Sequence, residues 1–179
     1  MDTRDWITLG LGLCTVLSSG ITSAVVTSWL NRRKDQQQFM RTKAETLYLA
    51  SDEFGRALSI YSIPFFPLVK GEATWSQMRE MQAGYSQKRE HGGHETMTML
   101  VEIYFPSVRP ALAKVLDARG SFNRFASELE QAYRADGDLD RRAWMPRLNK
   151  ECADIDTAVA EMKTAIVVAA RTYAGVKQA

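Results

Sequence analysis

From Trp6 to Leu30 the chain runs 25 residues without a charge. About 20 residues in a helix cross the hydrocarbon core of a bilayer. Trp6 and Trp29 stand near the two ends, about 35 Å apart at the helical rise of 1.5 Å per residue. That places both indoles near the headgroups, where Trp is favoured. Asn31, Arg32, Arg33 and Lys34 follow at once and act as a stop. The pattern predicts a membrane helix over 6–30, a short tail over 1–5 and a separate domain over 31–179.

Beyond the stop the apolar positions recur at helical spacing. Met40, Ala44, Leu47, Ser51, Phe54, Leu58 and Tyr61 lie on one stripe and predict a helix from Asp35 to Ile63, with scope for continuity with the membrane segment. Pro64 and Pro67 end it. The segment from Ser62 to Val69 is an apolar loop, expected to tuck over a bundle end or to meet a partner. A second helix fits Thr74 to Glu90, with Trp75, Met78, Gln82 and Tyr85 inward and Met81 beside them. Gly92-Gly93 breaks the chain. A third helix fits His94 to Phe105, on Met97, Leu100, Val101 and Tyr104. Pro106 interrupts, and Ser107 is placed to cap a continuation over Val108 to Arg119. Gly120-Ser121 reads as the next break, followed by a segment over Phe122 to Arg134.

Asp136-Gly137-Asp138 reads as a turn. In the last helix Leu148, Cys152, Ile155, Val159, Met162, Ile166, Ala169, Tyr173 and Val176 alternate steps of four and three. Such a heptad seam pairs with another chain or, more commonly, packs within its own bundle. No pair of strand patterns competes. The expected fold is all-α: an N-terminal single transmembrane helix, then a mostly antiparallel bundle of four to five helices.

Charge sets the expected orientation. Only Arg4 precedes the span, whereas Arg32, Arg33, Lys34, Arg41 and Lys43 follow it. The basic side stays cytoplasmic. The N-terminus is therefore expected outside and the bundle inside, at the inner (plasma) membrane. A cleaved signal peptide is the rival reading, with Thr22-Ser23-Ala24 as a loose cleavage site. Its leading residues are not net basic, and the apolar run exceeds the usual length.

The span carries a polar stripe. Thr8, Gly12, Thr15, Ser19, Thr22 and Ser23 fall on one face. Small residues allow close backbone approach, and hydroxyls can bond across the contact. Self-association through this stripe is one reading. A lone anchor whose hydroxyls bond to their own backbone is the other.

The composition is that of a folded protein, 45% hydrophobic and 25% charged, and the net charge of +2 gives no footprint for a nucleic-acid partner. Cys14 and Cys152 lie too far apart to suggest a disulfide framework. His91 and His94 match no zinc spacing, and neither has a Glu three residues before it. No phosphate loop or nucleophile motif is present. Catalytic, cofactor and metal residues are therefore not expected, and the chain does not read as an enzyme. The junction around Tyr104, Phe105 and Arg109 combines aromatics with two prolines. It reads as a kink or as a recognition surface.

No motif points to a named family. A short outer tail, one span and a helical inner domain are common among small bacterial membrane proteins, an analogy of architecture alone. The expected function is a membrane-anchored interaction module that binds a protein partner or itself. The alternative is an oligomerising membrane effector, of toxin or phage-defence type, that perturbs the bilayer. A third reading, a small-ligand sensor, needs a cavity within the bundle.

Overall fold

A computed structural model describes residues 3–86 and 93–173, with side chains from Ser23 onward apart from residue 24. Every described element is helical. α1 spans Thr3–Ser62, α2 Phe65–Lys70, α3 Trp75–Ser86, α4 Gly93–Ile103, α5 Arg109–Asp136 and α6 Arg141–Tyr173, with a 3-10 turn over Pro106–Val108. The predicted helix from Asp35 is thus continuous with the candidate span. At 1.5 Å per residue, the 60 residues of α1 extend about 90 Å.

α6 is the central helix. Gly55 of α1 packs on Val159, and Asp52 pairs with Lys163, so α1 and α6 run antiparallel. Lys114 pairs with Glu161, and Arg147 with Glu128, so α5 and α6 are antiparallel too. The seam predicted for the last helix packs within the chain, with Leu148, Ile155, Met162, Ile166 and Ala169 all buried. Tyr173 leaves the core, and Val176 lies outside the described residues. α6 also begins earlier than its seam and carries Pro146 inside it.

α4 and the α2–α3 pair complete the bundle, one near each end. Around α4, Leu47, Met97, Leu100, Val101, Val108, Val115 and Met162 form one core. Around α2 and α3, Phe65, Leu68, Val69, Met78, Phe122, Phe125 and Leu148 form a second. The apolar segment after Ser62 is a short helix rather than a loop. Its Phe65, Leu68 and Val69 are buried, which accounts for its hydrophobicity.

Local chemistry explains most boundaries. Gly71 ends α2 with φ 75°, and Gly137 ends α5 with φ 71°, both left-handed conformations that glycine adopts without a Cβ clash. Before α3, the Thr74 amide donates to Gln77 Oε1 at 2.8 Å, and the Gln77 amide donates to Thr74 Oγ1 at 3.3 Å. This is a reciprocal capping box.

Two expected boundaries are corrected. Ser107 does not cap the next helix: α5 starts at Arg109, its N-cap is Val108, and no side chain caps it. Gly120-Ser121 is no break either, because α5 passes through it. An interior glycine costs about 1 kcal/mol relative to alanine. Burial of Leu112, Val115, Phe122, Phe125 and Leu129 on one face offsets that cost several times over.

Candidate functional site

The first candidate surface is the part of α1 that stands clear of the bundle. Every described residue from Val25 to Gln36 is exposed, and burial begins only at Ala44. Val25 is 62% exposed, Val26 49%, Trp29 59% and Leu30 44%. Together they cover roughly 140° of the helix circumference at 100° per residue. An exposed valine or leucine forgoes about 1.5–3 kcal/mol available on full burial. Among the described residues no other element covers them, so their apolar surface lies open.

Next come Arg32, Arg33 and Lys34, all exposed and without an ion pair among the described residues. The Arg33 guanidinium lies 5.6 Å from the Trp29 ring centroid. Among the described residues, no helix is long and apolar enough to cross a membrane. The side chains of Thr8, Gly12, Thr15, Ser19 and Thr22 lie outside the described residues, and Ser23 is exposed.

The second predicted surface is rearranged by packing. Phe105 is fully buried, with its ring 6.0 Å from that of Tyr173, and so is withdrawn from any recognition surface. Burying an aromatic side chain at the α4–α5 corner is worth more than presenting it to water. Tyr104 is half-buried: it meets Phe39 edge-on at 5.7 Å, and Lys43 Nζ lies 5.7 Å from its ring. Arg109 is exposed but forms a two-pronged pair with Glu102, Nε to Oε1 at 3.0 Å and Nη2 to Oε2 at 2.5 Å. The Arg109–Glu102 pair thus ties the start of α5 to α4.

The third feature is one that sequence reading missed. Between the two cores a cleft of about 600 Å³ opens, touched by α1, α3, α4, α5 and α6. Phe54, Leu58, Tyr61 and Phe122 give it apolar and aromatic walls, and Arg119 and His94 supply nitrogen donors. Tyr61 and Phe122 stand 6.0 Å apart, and His94 lies against Phe54 at 5.4 Å. Its size falls within the rough range of 300–1,000 Å³ typical of ligand pockets. A sequence signal existed: the seam Leu112, Val115, Arg119, Phe122 keeps its spacing but places an arginine at a core step. The two cores separate at that step. Tyr61, expected in the inner stripe, is exposed at this cleft.

Other candidate chemistry resolves into structure. Asp52 accepts hydrogen bonds from Lys163 and lies 2.7 Å from Arg56, and the Lys163 bond above all holds its carboxyl below the usual range. Cys152 is half-buried, and burial pushes its thiol up despite a hydrogen bond with Ser62. A thiol so raised is a poor nucleophile near neutrality. His94 is half-buried, and His91 lies outside the described residues. Among the described residues, no group of three or more His, Cys, Asp or Glu is placed to hold a metal ion.

No family model matches the chain, and neither does any curated protein or solved structure.

Proposed function

We propose that the chain is a single-pass, membrane-anchored helical module. Its N-terminal span holds the bundle at the inner face of the plasma membrane, where the bundle binds a protein partner or a second copy. One observation carries this reading. α1 leaves the bundle as a bare arm with Val25, Val26, Trp29 and Leu30 exposed, directly before Arg32, Arg33 and Lys34, which make no ion pair among the described residues. Lipid is the surrounding that suits the apolar part, and the basic part then marks the cytoplasmic side. The bundle offers folded, well-packed surfaces, which suits binding.

Orientation tests the reading. Protease added to intact cells should leave the bundle uncut, and protease added to inverted membrane vesicles should degrade it. Digestion in intact cells would refute the orientation.

A second reading, a small-ligand sensor, is favoured by the cleft. Its wall includes Phe54, Leu58 and Tyr61 of α1, the helix that continues into the proposed span. Occupancy would therefore bear on the same rigid element that enters the bilayer.

A further inference from the structure

We propose that Arg32, Arg33 and Lys34 form a collar that binds the headgroups of anionic phospholipids, selecting them over zwitterionic ones. This rests on the membrane-anchored reading of α1 and specifies the lipid that the anchor meets.

The argument begins with height. Lys34 is four residues beyond Leu30, about 6 Å along the axis. A headgroup layer is about 5–8 Å thick on each side of the hydrocarbon core. All three cations therefore fall at the level of the phosphates. By contrast, Arg41 and Lys43 lie about 16 Å or more beyond Leu30, past that layer.

Angle is the second point. Successive residues turn by about 100°, so the three side chains sweep roughly 200° of the circumference. They surround the helix as a collar, and several lipids can be engaged at once.

The third point is that no carboxylate neutralises the three charges. None of the three makes an ion pair among the described residues, and each is exposed. Arg41, farther along, differs: its Nε pairs with Glu45 at 3.1 Å. Asp35 is the only acidic residue between Leu30 and Glu45. An arginine can also grip a phosphate with two parallel N–H bonds. Arg33 is already seated over Trp29, which fixes its guanidinium beside the indole at the interface.

The full-length chain would be reconstituted in nanodiscs of equal phosphatidylcholine and phosphatidylglycerol. Lipids that stay bound on release would be counted by native mass spectrometry. Phosphatidylglycerol should be retained over phosphatidylcholine on the order of tenfold, with the preference falling in 1 M salt. The variant R32Q/R33Q/K34Q should lose the preference. The control R141Q/R142Q, which removes two exposed arginines at the start of α6, should keep it.

Equal retention of both lipids by the wild-type chain, or a preference that survives in the triple variant, would overturn the collar and leave the anchor standing. A chain that enters no nanodisc at all would overturn the anchored reading and the collar with it.

Discussion

At Gly55, α1 and α6 approach closely. A Cβ at this position would lie 2.8 Å from Val159 Cγ1. Gly84, in contrast, has nothing within 4 Å of the same atom. Helix propensity alone favours alanine over glycine by about 1 kcal/mol at both sites. At Gly84 that gain should appear in full, as a higher denaturation midpoint. At Gly55 overpacking costs about 1–3 kcal/mol and reverses the sign. Gly55→Ala should therefore destabilise the bundle, and adding Val159→Ala should abolish the clash part of the loss. A double-mutant cycle by chemical denaturation reads this coupling, and strict additivity would contradict the packing described.

Asp52 makes a second test, and its sign follows from its lowered pKa. A depressed carboxyl stabilises the fold fully above its unfolded value, near 3.9. That contribution disappears as pH falls through the lower, folded value. Asp52→Asn should cost about 0.5–1 kcal/mol at pH 7, in keeping with a partly exposed ion pair. Below that folded value the variant and the wild type should converge. A penalty unchanged by pH would mean that Lys163 and Arg56 are not the source.

Among the elements, α1 matters most because it belongs both to the bundle and to the arm. Its stretch from Asn31 to Gln36 is exposed and packs on no other described element. A proline there breaks the helix without touching the core. Spin labels at Ser28 and Glu53, both exposed, should give one narrow distance near 37 Å in the full chain. Gln36→Pro should broaden that distribution and leave the thermal midpoint of the bundle nearly unchanged. A broad distribution in the unmodified chain would contradict a continuous α1.

Helices with a strong, uninterrupted seam were legible from sequence. The α6 seam from Leu148 to Ala169 and the α1 stripe from Met40 to Leu58 both face inward as their spacing implies. What misled was local punctuation outweighed by packing. Gly120 looked like a stop, yet Phe122 and Phe125 continue the buried face beyond it. The junction around Phe105 read equally as a kink or as a recognition surface, and the corner folds Phe105 inward. The cleft was illegible for a different reason. It arises from residues of five helices, and only Arg119, a charge at a core step, hinted at it.

For the whole molecule, the described residues present two linked parts. One is a bundle with two cores whose buried seams are satisfied within the chain. The other is an arm whose apolar side chains find no cover there. That contrast is why membrane anchoring is the central claim and why the bundle is assigned the binding role. The claim is tested most directly by washing membranes that contain the full-length chain with alkaline carbonate and then floating them on a density gradient. Peripheral proteins are stripped by this treatment, whereas a span buried in hydrocarbon is not. The account predicts that the chain floats with the lipid after the wash. Its recovery in the carbonate supernatant, without lipid, would contradict the account.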